Sequence, residues 1–117
     1  MNIKEVIEIA TYAGEMLLSN GAEAYRVEET VNRICGSYGM KGECISTSTG
    51  IYITVSSADT DMATSVKRIR QRQIDLYKVE LVNSFSRDLV ANPMPYRDAK
   101  KRLCEIENVQ NFRLGIR

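Results

Sequence analysis

The hydrophobic period changes twice along this chain, and that limits its fold more than any other feature. Ile3, Val6, Ile7, Ala10, Ala13, Leu17 and Leu18 recur at helical spacing, and Val27, Val31, Ile34, Cys35 and Tyr38 repeat the pattern in a second segment. Ile51, Ile53 and Val55 then alternate with Tyr52, Thr54 and Ser56, the signature of a half-buried strand. Helical spacing returns from Gln73 to Val90 through Ile74, Leu76, Val79, Leu81, Val82, Phe85 and Leu89, and again through Tyr96, Ala99, Leu103 and Ile106. Asn20-Gly21 and Gly39 supply helix stops, Ala58-Asp59-Thr60-Asp61 a turn, and Asn92-Pro93-Met94-Pro95 a loop with Pro95 set for a first helical turn. Gly14, inside the first helical segment, costs helix propensity and so implies a close neighbour there. Cys44 to Thr49 reads as a short strand, and Met62 to Ile69 as a third strand or the start of a helix. Gly50 falls at a bend between two strands or inside one long strand. The predicted architecture is α+β in the order ααβββαα: a small antiparallel sheet of about three strands covered by four helices. The length of 117 residues fits a single domain with one modest core.

The composition removes several functions. A net charge of +1 predicts neither a nucleic-acid binder nor a polybasic membrane binder. The charge is uneven: residues 1–60 hold four Lys/Arg against eight Asp/Glu, and residues 61–117 hold twelve against seven. Mutual neutralisation, within the chain or across a homodimer, is favoured over a basic binding face. The chain has no histidine, so Ser-His-Asp and Cys-His nucleophiles and histidine-based zinc sites are excluded. Cys35, Cys44 and Cys104 form no CxxC pair; no metal or cofactor is expected, and a reducing compartment fits. Neither nucleotide-binding fingerprint occurs. The opening Met1-Asn2-Ile3-Lys4-Glu5 lacks a basic signal-peptide start. No apolar run approaches the roughly 18–20 residues that cross a bilayer, so the chain reads as soluble.

The remaining signal is polar. Gly21-Ala22-Glu23-Ala24-Tyr25-Arg26-Val27-Glu28-Glu29-Thr30 packs glutamates, an arginine and a tyrosine into a turn-to-helix junction between two apolar stripes. Arg26 stands three residues from Glu23 and from Glu29, within pairing reach on a helix. Lys67, Arg68, Arg70 and Arg72 form a basic run, and a strand over 62–69 would put Arg68 on the face of Val66. Asn83, Ser86 and Arg87 are expected on the surface of the long helix. Arginines of this kind receive carboxylates, and Glu23 or Glu28 an ammonium, so the set suits a free amino acid. Structural salt bridges tying helices to sheet explain the same residues, and composition alone favours them. Thr47-Ser48-Thr49-Gly50 either lines a ligand with hydroxyls or is ordinary turn chemistry.

The same residues resemble the N-terminal domain of the threonine/serine exporter (ThrE-like) family. The resemblance is carried by Ala13-Gly14, Leu17-Leu18, Gly21-Ala22-Glu23 and Tyr25 to Thr30, then Arg33-Ile34 and Thr49-Gly50-Ile51. It continues through Arg68-Ile69, Arg72, Asp75-Leu76, Lys78-Val79, Asn83 and Ser86-Arg87, and spans roughly residues 5–106. Ala24 and Ser48 depart from the family pattern. The resemblance implies a cytoplasmic domain that precedes transmembrane helices, at the cytoplasmic face of the membrane. Its implied partner is a transmembrane exporter domain or subunit, and its implied cargo a small amino acid or, in some relatives, a dicarboxylate. The end at Arg117 falls about where a first span is expected. The candidate cluster is Glu23, Tyr25, Arg26, Glu28, Thr49, Arg68, Arg72, Asn83 and Arg87, with a regulatory or substrate-handling role. A dimerisation or adaptor module and a carboxylate-dependent hydrolase are the alternatives.

Overall fold

A computed structural model describes residues 1–109. Its elements are α1 (Ile3–Ser19), α2 (Ala24–Ser37), β1 (Lys41–Ser46), β2 (Gly50–Ser56), β3 (Met62–Arg68), α3 (Leu76–Ala91) and α4 (Tyr96–Glu107). The α+β order read from the period changes is the observed one. The strands form an antiparallel sheet in the order β1-β2-β3. The third apolar segment is therefore a strand, and Gly50 opens β2 rather than bending a longer strand.

Two boundaries follow from capping. Asn2 and Glu5 form a reciprocal capping box at the start of α1, with the Glu5 N–H donating to Asn2 Oδ1 at 2.8 Å. The helix expected from Gln73 begins at Leu76, because the Asp75 side chain accepts from the Lys78 N–H at 3.1 Å and sets the start there.

α1 is apolar around most of its girth, as a helix buried on several sides must be. Val6, Ile9, Ala10, Ala13 and Leu17 are fully buried, and the helix touches α2, α3, α4, β2 and β3. Gly14 lets this happen: a Cβ there would stand 3.0 Å from Ile51 Cδ1 and 3.1 Å from Val31 Cγ2. The inner sheet face, with Ile51, Ile53 and Val55 fully or almost fully buried, lies against α1. α3 and α4 pack on α1, and α3 also packs on α2. The outer sheet face stays open: Ile45, Tyr52 and Val66 form one cross-strand row and are each at least half exposed. Val66 and Arg68 share this face, as the strand reading required.

The unequal charge of the two halves is partly resolved inside the fold. Lys100 pairs with Glu8 at 2.9 Å and Lys67 with Glu15 at 4.0 Å, each joining a second-half cation to a first-half acid. Arg87–Glu80 and Arg102–Asp88 pair within the second half.

Candidate functional site

After β3 the chain must cross from the sheet to the start of α3. Backbone bonds fix that crossing. The Ile69 N–H donates to the Thr49 carbonyl at 2.8 Å, the Gln73 N–H to the Ser19 carbonyl at 2.8 Å, and the Asp75 N–H to the Asn20 carbonyl at 3.0 Å. The Gln73 side chain also donates to Asn20 Oδ1 at 2.8 Å, and buried Asn20 donates back to the Met16 carbonyl at 2.8 Å. The loop is thus fastened to the last turn of α1, whose terminal carbonyls need partners. Ile69 is buried and the neighbouring Arg68 and Arg70 are exposed.

Gly21 completes the fastening. Its φ is +100°, a conformation that strains any residue with a Cβ, and a Cβ there would meet the Gln73 carbonyl oxygen at 3.4 Å. The first glycine of the polar junction is therefore explained by loop packing.

The crossing leaves a cleft of about 590 Å³ lined by Glu15 and Ser19 of α1, Lys67 and Arg68 of β3, and Ile69 to Gln73. Lys67, Arg68, Arg70 and Arg72 are among its lining residues with one carboxylate, Glu15, which lies 4.0 Å from Lys67. Among the described residues neither Arg68 nor Arg70 pairs with a carboxylate. Arg72 donates through Nη1 to the Ser48 carbonyl. A concave surface with guanidinium groups not consumed by internal pairing suits anionic oxygens.

The other candidates divide into groups with different work. Arg68 and Arg72 line the cleft, and Thr49 holds its rim through the carbonyl that receives Ile69. Glu28 is half buried and accepts from the Ser46 N–H at 3.0 Å, bracing the end of β1 against α2. Asn83 is not on the surface: it is 2% exposed and its Oδ1 accepts from Thr30 Oγ1 at 2.8 Å. Ser86 is buried beside it and accepts from Arg33 Nη1 at 3.0 Å. These two links make a polar seam between α2 and α3. The Asn83 Nδ2 is buried without a partner among the described residues.

Glu23, Tyr25 and Arg26 lie at the exposed start of α2 and do not line the cleft. The expected Arg26 pairs with Glu23 and Glu29 are not made; Glu29 instead lies 3.8 Å from Arg33, one turn on. Arg87 pairs with Glu80 at 3.1 Å, away from the cleft lining. The expected single cluster is thus divided between a cleft, a helix seam and an exposed helix start. The cleft also draws on Glu15, Lys67, Arg70 and Gln73. The basic run signalled Lys67 and Arg70 in the sequence. Glu15 had no signal, since only the tertiary crossing brings α1 under β3.

Neither Cys35 nor Cys44 offers a nucleophile, and the exposed Cys104 does not line the cleft. Burial pushes Cys35 up to about 11, and burial followed by the nearby Glu28 charge pushes Cys44 up to about 12, so both are neutral near pH 7. Among the described residues no three His, Cys, Asp or Glu side chains converge on a metal-sized space.

Fold and cleft together define a small α+β module with a cation-rich recess between its central helix and a sheet end. A family model described as "Putative threonine/serine exporter" matches residues 8–116, nearly the whole chain, and the chain belongs to that family. No curated protein and no solved structure matches it. Among the described residues no helix is long and apolar enough to cross a membrane.

Proposed function

We propose that this chain is the cytoplasmic N-terminal domain of a membrane exporter of threonine, serine or a related small metabolite, and that it handles substrate through the basic cleft. The observation that carries the reading is a cleft of about 590 Å³ lined by Lys67, Arg68, Arg70 and Arg72 and by a single carboxylate, Glu15. That volume fits a small metabolite. Arg68 and Arg70 receive the carboxylate, and Glu15 receives the ammonium of an amino acid. The surplus of cations favours a dicarboxylate over a zwitterion. The transmembrane part of the exporter is the partner.

The cleft is open to water, so each ion pair contributes only about 0.2–1 kcal/mol. Binding near a millimolar Kd, about 4 kcal/mol, is the expected strength. Calorimetric titration with succinate, threonine and serine at low and high salt tests this. Heat that weakens with salt and disappears in Arg68→Ala/Arg70→Ala supports the reading. No heat with any of the three, or heat that survives the double substitution, removes it. The hydrolase alternative loses ground because Glu28 is committed to the Ser46 N–H.

A further inference from the structure

We propose that the free edge of β3 is a self-association surface: two copies of this chain pair their β3 strands antiparallel about a two-fold axis at Thr64, joining both sheets into one. This does not rest on the anion-cleft reading, although Lys67 belongs to both surfaces.

The hydrogen-bond phase of the sheet shows which groups are available. The Ile69 N–H donates to the Thr49 carbonyl and the Ser57 N–H to the Asp61 carbonyl. With the observed register, Asp61, Ala63, Ser65 and Lys67 direct their backbone groups at β2. Met62, Thr64, Val66 and Arg68 therefore direct theirs away from the sheet. Among the described residues none of these outward groups takes part in a backbone bond beyond the sheet. Met62 is 68% and Val66 64% exposed, and the main neighbours of β3 are β2 and α1. An unpaired edge of this kind is a template for another strand. Charges stand at its two ends, Asp61 at one and Lys67 and Arg68 at the other; Met62 to Val66 carries none.

The sequence of the strand complements itself, which identifies a second copy as the occupant. A two-fold normal to the sheet keeps each side chain on its own face. Centred on Thr64, it sets Thr64 opposite Thr64, Met62 opposite Val66, and Asp61 opposite Lys67. Apolar groups meet on the outer face, and a carboxylate meets an ammonium on the inner face, where Glu15 already lies 4.0 Å from Lys67. Sliding the copies by one step sets Met62 against Thr64 or against Arg68 and takes Asp61 away from Lys67. The chosen register also extends the Ile45–Tyr52–Val66 row with Met62 of the second copy. A strand pair of this length buries less than the roughly 1,200 Å² of a standard interface, so the dimer is weak and concentration-dependent.

Sedimentation velocity on the chain from micromolar to millimolar concentration tests the proposal. The expected result is a reversible monomer–dimer equilibrium. Thr64→Pro removes an outward N–H, a position where an edge strand tolerates proline, and weakens the dimer at least about tenfold with the circular dichroism spectrum unchanged. Val66→Lys, on an already exposed site, does the same should the proline variant misfold. For the register, Met62→Cys and Val66→Cys chains in a Cys104→Ser background are mixed with a short bismaleimide. Cross-linking is expected in the mixture well above that in either chain alone. A monomer at every concentration, a dimer indifferent to both edge variants, or equal cross-linking in all three samples overturns it.

Discussion

Replacing Thr30 by Val isolates what the family motif does in the α2–α3 seam. Thr30 and Asn83 are 1% and 2% exposed, and the Thr30 hydroxyl donates to Asn83 Oδ1 at 2.8 Å. Asn83 Nδ2 already has no partner among the described residues. Valine has nearly the same shape as threonine, so the cavity contribution is small. The substitution loses a net hydrogen bond of about 1 kcal/mol and leaves a buried carbonyl oxygen unpaired at about 1–3 kcal/mol. A total of about 2–4 kcal/mol is expected. Asn83→Ala alone costs about 1–2 kcal/mol: it removes the orphan amide but opens space, and the Thr30 hydroxyl turns to a backbone carbonyl of its own helix. In the double variant no polar side chain of the pair stays buried and unpaired, so its cost stays near that of Asn83→Ala. The coupling is therefore about 2 kcal/mol.

Urea melts followed by circular dichroism measure all four corners of this cycle. Each 1 kcal/mol corresponds to roughly 4–8 °C in Tm for a domain near this size, so Thr30→Val lowers Tm by roughly 10 °C or more. Costs that add to within about 0.5 kcal/mol refute the seam as an energetic unit, as does a Thr30→Val cost below about 0.5 kcal/mol. In either case Asn83 would be free to be read as a ligand group.

Other perturbations follow from the same geometry. Gly21→Ala forces a Cβ into φ +100° and toward the Gln73 carbonyl; a loss of about 1–2 kcal/mol in a thermal melt is expected, with weaker anion binding because the cleft loop is anchored there. Cys104 is exposed and Cys35 buried, so a disulfide reagent at pH 8 is expected to label Cys104 quickly and Cys35 only on unfolding. Because burial raises Cys35 from 9.0 to about 11, its thiol ionises first in the unfolded chain, and stability falls as pH rises from about 9 toward 11, by roughly 2 kcal/mol at about 1.4 kcal/mol per pH unit. The hydrogen bonds from Lys100 and then Tyr96 hold Glu8 below 4.5, so their contribution is present above 4.5 and is lost as pH falls through the lowered folded value. Glu8→Gln is expected to flatten that acid limb of a Tm-against-pH curve.

The fold was legible because each segment states its own period. β2 alternates cleanly, with Ile51, Ile53 and Val55 inward, and α1 is apolar enough to demand burial on several sides. The start of α3 was less legible, since Ile74 fits the helical spacing and yet is 80% exposed in the lead-in. The residue types of the polar set were legible, but their distribution was not. Asn83 looks like a surface residue on a one-dimensional helix pattern; only the approach of α2 makes it an internal partner of Thr30. Arg26 has acids at pairing distance in sequence, but exposed pairs gain little, and Glu29 sits by Arg33 instead.

The cleft owes its charge to a simple geometric constraint. β3 ends at Arg68, and Ile69 is the residue of the crossing that reaches the core. The next residues run past the end of α1, tied by the backbone N–H groups of Gln73 and Asp75 and by the side chains of Gln73 and Arg72. Arg68, Arg70 and Arg72 thus have fixed Cα positions without an apolar surface to cover. Arg72 is used in bonding the Ser48 carbonyl, but packing demands no cation at Arg68 or Arg70. Two guanidinium charges about 8 Å apart at an effective dielectric near 20 repel by roughly 2 kcal/mol before screening. Carrying such repulsion where the fold needs no charge is intelligible when an anion arrives to relieve it. High salt relieves it too, so salt should raise Tm in the free protein and do so far less once succinate is bound.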